Sequence, residues 1–158
     1  MPATRRVLNP ALARLLAVLM LAAAAFVPQL VQAQSASALA PSMVGVRAVS
    51  VAATRRGAVY RLGAQGPRAF DCSGLTRWSY ARVGKRLPRT AQQQWAATLH
   101  IRPTSRRPGD LVFFFSGRRV YHVAMYAGNG YIWHAPKPGT RVKRVKLWTS
   151  HVRYGRVR

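Results

Sequence analysis

The chain has 158 residues, 49% of them hydrophobic, and carries 26 Lys or Arg against 2 Asp or Glu, with 4 His, one Cys and a net charge of +24. That length and apolar content suit one or two small packed domains rather than a disordered basic tail. A single Cys rules out an internal disulfide, a thiolate-rich zinc site or an iron–sulfur cluster, and Asp71 and Asp110 alone argue against carboxylate-pair glycosidase chemistry or a hard-metal cage.

In chain order, Arg5 and Arg6 precede an apolar run from Ala11 to Val27 broken by Arg14, and Val31-Gln32-Ala33 forms a small-x-small cleavage pattern. Residues 1–33 therefore read as a secretory signal peptide, with export to the periplasm, cell wall or medium. An uncleaved anchor is the alternative, and Arg14 shortens the apolar core it would need. Thr4-Arg5-Arg6 is only a faint twin-arginine pattern in so Arg-rich a chain. Without Arg5, Arg6 and Arg14 the remainder keeps 23 basic residues against 2 acidic, a net +21. Such a charge points to an anionic partner such as a wall polymer, although Arg outnumbers Lys 22 to 4, as a compositional bias would also produce.

Residues 34–42 read as a linker and 43–158 as one domain. Met43, Val44, Val46, Val49 and Ala53 predict a helix over 43–56 with one apolar side. Leu75, Trp78 and Ser79 predict a second helix from Cys72 to Val83, stopped by Gly84. Thr90-Ala91-Gln92-Gln93 is a capping box opening a short helix that Trp95 anchors. Strands follow at Leu111–Phe115, Tyr121–Tyr126, Tyr131–His134 and Thr140–Lys146. Helices first and antiparallel strands afterwards make an α+β domain.

A lone Cys is more often a small buried hydrophobe than a nucleophile. Asp71-Cys72-Ser73-Gly74, however, stands where a loop enters a helix, and the unpaired N–H groups there favour a thiolate and could hold an oxyanion. A base must come from the strands. If Gly128-Asn129-Gly130 is a three-residue loop, Ala127 pairs with Tyr131, and His122 and His134 share one face. A two-residue turn would put them on opposite faces unless a bulge intervened. Asp71 adjoins the Cys and Asp110 heads another strand, which leaves His134 to orient His122. For His100 and His151 a structural role is the expectation, and two His without a third ligand make no zinc site.

Phe70-Asp71-Cys72-Ser73-Gly74-Leu75, Leu87-Pro88-Arg89-Thr90 with Gln94, Pro108-Gly109-Asp110-Leu111-Val112-Phe113-Phe114, His122-Val123-Ala124-Met125-Tyr126, Gly128-Asn129-Gly130 and His134-Ala135 together resemble the NlpC-type cell-wall peptidases. The resemblance spans about Met43 to Arg158. It implies a papain-like α+β fold with the nucleophile at a helix N-terminus, and hydrolysis through a thioester of an amide in peptidoglycan stem peptides, typically between γ-D-glutamate and a diamino acid. It also implies Cys72 as nucleophile, His122 as base and His134 as third member, with Tyr60, Asp71, Ser73 and Arg89 at or supporting the substrate groove. No cofactor, no metal and no specific nucleic acid are expected, and the protein is expected to be a monomer. Many members carry Tyr-x-Trp-Gly-Gly where this chain has Tyr60-Arg61-Leu62-Gly63-Ala64, which puts substrate preference in question. A non-hydrolytic wall-binding or anionic-polymer-binding protein is the alternative.

Overall fold

The computed structural model describes residues 43–158; the expected signal segment and linker lie outside the described residues. Three helices precede most of the sheet: α1 (43–53), α2 (Cys72–Ala81) and α3 (Ala91–Ala96). A short parallel ladder, β1 (Val59–Tyr60) with β2 (Ala69–Phe70), lies between α1 and α2. The main sheet is antiparallel with six strands: β3 (Leu99–Ile101), β4 (Leu111–Ser116), β5 (Arg119–Gly128), β6 (Tyr131–His134), β7 (Lys143–Lys146) and β8 (Val152–Arg156). Its spatial order is β3-β8-β4-β5-β6-β7, so β4 and β5 are central and β7 is an edge. Among the described residues no helix is long and apolar enough to cross a membrane.

The unbroken apolar run Leu111-Val112-Phe113-Phe114 suits a strand buried on both faces, and β4 is covered on both sides. Leu111 and Phe113 join Val123, Met125 and Trp133 under the helices, with Leu75 and Phe70 from the helical side. Val112 and Phe114 join Ala124, Tyr126, Ile132 and Tyr154 on the opposite face.

The register of β5 decides where its histidine points, and two irregularities set it. Phe114 pairs with His122 but Phe115 pairs with Val120, so Tyr121 is the extra residue and is thrown into solvent, 58% exposed. At the other end Gly128 pairs with Tyr131, which makes Asn129-Gly130 a two-residue turn rather than the three-residue loop expected. Both turn residues have positive φ, 51° and 75°, as a tight hairpin of this kind requires. A bulge at Ala127 then restores the pairing of Tyr126 with Ile132 and Met125 with Trp133. Continued outward, that register sets 124 opposite 134, so His122 and His134 do share a face.

Other elements differ from expectation in extent. The α1 residues that enter the core are Ala48 and Ala52, with Val44 and Val49 beside them, while Met43 and Val46 face solvent. Small residues form this contact because the backbones come so close: a Cβ on Gly109 would lie 2.3 Å from the Gly45 Cα. The segment 140–142 is tied to 57–60 instead of continuing β7, through Val142 N to Ala58 O and Tyr60 N to Thr140 O. The strands β3 and β8 and the β1–β2 ladder were not anticipated. The capping box of α3 is present in full, with Thr90 and Gln93 satisfying each other's backbone N–H.

Gly109 is both at φ +99° and in contact with α1, whereas Gly84 is at φ +78° with open space around it. Gly84→Ala should cost about 1 kcal/mol, the penalty of a left-handed backbone alone, and Gly109→Ala clearly more, because the clash adds to it. Urea unfolding of the two variants checks the order.

Candidate active site

Asp71 caps α2 from an extended backbone (φ −93°, ψ 179°), its side chain accepting from Gly74 N at 2.7 Å. Gly63 N donates to the other carboxylate oxygen at 2.9 Å, and Ser73 Oγ lies 3.3 Å from the first. Arg89 closes the cluster with an ion pair to Asp71 and a bond from Nη1 to Ser73 Oγ at 3.0 Å. Gln94, fully buried, donates to Ser73 O and Pro88 O and accepts from Thr76 Oγ1. The start of α2 is therefore pinned by side-chain hydrogen bonds as well as by packing. A Cβ on Gly74 would meet Ala64 O at 2.1 Å, so only glycine lets the preceding loop lie against this turn. Despite its burial, the Asp71 carboxyl is held below the usual carboxylate range, by Arg89 and by the N–H groups of Gly74 and Gly63.

Cys72 is the first residue of α2 and is half-buried. The backbone N–H groups of Val123, Ser73 and Cys72 itself favour its thiolate, as expected at a helix start, but burial and Asp71 outweigh them and push the thiol up. The balance favours the thiol over the thiolate. Its neighbour Val123 follows His122 in β5, which brings the start of α2 to the strand carrying the histidine. Among the described residues no hydrogen bond joins Cys72 to His122; such contacts commonly tighten only around substrate. Tyr60 is half-buried, its hydroxyl pushed up by burial and by the nearby Cys72 and Asp71.

His122 Nε2 and His134 Nδ1 are 3.1 Å apart, and both residues are buried. Burial pushes each imidazole below the ordinary histidine range, with His134 adding to the effect at His122 and Lys143 at His134. The pair is therefore uncharged at neutral pH. His134 Nε2 is buried without a hydrogen-bond partner.

The structure brings Cys72, Asp71, Ser73, Arg89 and Tyr60 into one neighbourhood and His122 with His134 into one hydrogen-bonded pair. His100 instead stacks on Trp95 at 3.5 Å, and His151 is exposed. Three more residues surround the histidines, of which sequence reasoning named only Phe114, within a motif and without this role. Phe114 packs 5.2 Å from His122, and Trp148, 58% exposed in the β7–β8 connection, stacks on Phe114 at 5.0 Å and lies 5.5 Å from His134. Lys143 pairs with His134 across β6 and β7. Only the tertiary pairing identifies Trp148 and Lys143, since neither adjoins a motif residue in sequence. No group of three or more His, Cys, Asp or Glu among the described residues could hold a metal ion.

Comparison with known proteins agrees with this geometry. The NlpC/P60 family profile matches residues 57–157. A probable endopeptidase of Corynebacterium glutamicum is 40% identical over 117 residues, covering 74% of this chain and 55% of the relative. The chain thus spans about half the length of the corynebacterial relatives it matches. The NlpC/p60 domain of the peptidoglycan hydrolase SagA superposes with a TM-score of 0.66 at 33% identity, over 72% of this chain and 98% of that one. The peptidoglycan hydrolase RipB of Mycobacterium tuberculosis gives a TM-score of 0.66 at 26% identity, over 73% of this chain and 66% of that one. The profile match across the sheet and helices, the shared α+β papain-like fold and the identity to these relatives establish that the chain belongs to the NlpC/P60 family.

Proposed function

We propose that the protein is a cysteine peptidase that hydrolyses an amide bond in peptidoglycan stem peptides, between γ-D-glutamate and a diamino acid. The observation that carries this reading is the buried, uncharged His122–His134 pair beside the strand residue that meets the Cys72 sulfur. His122 uses Nε2 to reach His134, which leaves Nδ1 to serve as base. Nδ1 takes the Cys72 proton as the sulfur attacks the amide carbonyl, and N–H groups of the first turn of α2 hold the oxyanion. His122 then returns that proton to the leaving amine, the C–N bond breaks and a thioester remains. Water, deprotonated by His122, cleaves the thioester to a carboxylic acid and regenerates the Cys72 thiol. Throughout, the Nε2–H of His122 donates to His134 Nδ1, which fixes the tautomer that keeps Nδ1 bare.

Tyr60 lines the acyl side of the groove in this reading. Asp71, Ser73 and Arg89 support its floor, with Leu62, 80% exposed, on the wall where many members carry Trp. Both side-chain carboxylates are held in ion pairs, Asp71 with Arg89 and Asp110 with Arg156. The remaining cations have no side-chain carboxylate to meet, which supports attachment to anionic wall polymers. Residues 1–33 act as the export signal and residues 34–42 as linker to the catalytic domain.

Cys72→Ala should release no peptide from purified wall material while still binding it, as read by mass spectrometry of the soluble fraction; release at the parent rate would sink the nucleophile assignment. His122→Ala should lower kcat/KM by roughly 10²–10⁴-fold, the worth of a positioned general base. His134→Ala should cost less, and His134→Asn less again, because an amide oxygen can still accept from His122 Nε2–H. Steady-state kinetics on a soluble stem peptide reads the ranking.

The histidine pair also predicts how stability depends on pH. Its folded pKa values are depressed, so between the ordinary value near 6.5 and the folded values the unfolded chain binds more protons. Stability is therefore full above about pH 6.5 and falls below it, by up to about 1.4 kcal/mol per pH unit for each histidine. The contribution of the Asp71–Arg89 pair is lost mainly below the ordinary Asp value of about 3.9, so it changes little between pH 7 and pH 5. Urea midpoints at pH 7 and pH 5 should diverge in the parent and much less in a His122→Gln/His134→Gln double variant.

A further inference from the structure

The distal end of the histidine pair holds a positive charge that the chemistry above does not use. Lys143 sits on the edge strand β7 directly opposite His134, so the two side chains leave the sheet on the same face. Lys143 is exposed, and its charge is felt at His134, where it opposes protonation. A cation beside a histidine that must stay neutral needs no balancing acid, and none is available: the chain's two side-chain carboxylates are bound by Arg89 and Arg156. A second donor adjoins it. In the mechanism proposed above His134 Nδ1 accepts from His122, so the His134 ring proton is on Nε2, and that atom is buried without a partner.

The order across the site runs Cys72, His122, His134, Lys143. The acyl half of a substrate becomes bonded to Cys72, while the amine half receives its proton from His122. The next groups beyond His122, on its side away from Cys72, are His134 and Lys143, which the amine half can reach. We propose that Lys143 is a specificity-determining residue, which together with the donor side of His134 binds a carboxylate carried by the residue on the amine side of the scissile bond. This rests on the hydrolase reading for its direction, since it is the path of the leaving amine that points to Lys143. It assigns the enzyme to peptides whose amine-side residue presents a free carboxylate, whether an α-carboxylate at a chain end or one at the end of a diamino acid side chain. Amidated or chain-extended forms that lack both are disfavoured. Lys143 exerts its effect on binding, leaving the bond-making steps to Cys72 and His122.

Three synthetic peptides separate the two sources of carboxylate: γ-D-glutamyl-L-lysine with a free C-terminus, the same peptide as its C-terminal amide, and γ-D-glutamyl-diaminopimelate with only its side-chain carboxylate free. Binding is measured calorimetrically on the Cys72→Ala protein, which needs no turnover, and repeated with Lys143→Gln and Lys143→Arg added. At least one carboxylate peptide should bind about tenfold tighter than the amide, as a charge-assisted hydrogen bond allows. Lys143→Gln should erase that difference, and Lys143→Arg should keep most of it. Equal binding of all three peptides to the Cys72→Ala protein, or a preference that survives Lys143→Gln, would overturn the assignment. Hydrolysis by the parent is read separately. Preferential binding without cleavage would refute the hydrolase reading and leave the carboxylate site standing, and cleavage without dependence on Lys143 would do the reverse.

Discussion

The hydrogen bond between His122 Nε2 and His134 Nδ1 depends on two strands arriving in one register, and much of the sheet is arranged to deliver it. A slip of one residue in either strand would turn one imidazole to the opposite face. The register is held at one end by the Asn129-Gly130 turn with the bulge at Ala127, and at the other by the bulge at Tyr121, which lets Val120 and His122 face different cores. Phe114 and Trp148 then cover the pair on its outer side. Burial keeps both rings uncharged, which suits a base that must accept a proton from a thiol instead of sharing one with it at rest.

A second constraint seats Cys72, the proposed nucleophile. The chain has two side-chain carboxylates and commits both to architecture: Asp71 caps α2 and holds Arg89, and Asp110 just before β4 grips Arg156 of β8 through two bonds of 2.8 Å. Around the proposed catalytic groups this leaves backbone N–H donors and cations but no carboxylate free of an ion pair. Such a site suits acyl transfer, in which negative charge develops on the substrate oxygen. It also suits substrates that bring carboxylates of their own.

Much of this was legible in one dimension. The loop-to-helix entry at Asp71-Cys72, the capping box at Thr90 and the apolar run of β4 are local signals with local causes, and each occupies the place expected. The facing of His122 and His134 followed from strand parity on the condition of a three-residue loop, or of a two-residue turn relieved by a bulge. The structure meets the requirement by the second route, a shorter turn plus a bulge, and bulges leave no clear mark on hydrophobic alternation. The strands β3 and β8 were hidden because Leu99–Ile101 is too short to alternate and Val152–Arg156 carries two Arg and a Gly. Lys143 and Trp148 could not be linked to the site from sequence, because the pairing of β7 with β6 and the fold of the connection after it bring them there.

The account turns on an uncharged histidine pair in a defined tautomeric state, and ¹⁵N NMR of the imidazole nitrogens reports that state without any substrate. It predicts that at neutral pH, and still at about pH 5.5, below the ordinary histidine value, both rings of the resting protein are neutral. His122 should be protonated at Nε2 and bare at Nδ1, and His134 protonated at Nε2. An imidazolium at His122 near pH 7, paired with a Cys72 thiolate, would contradict it.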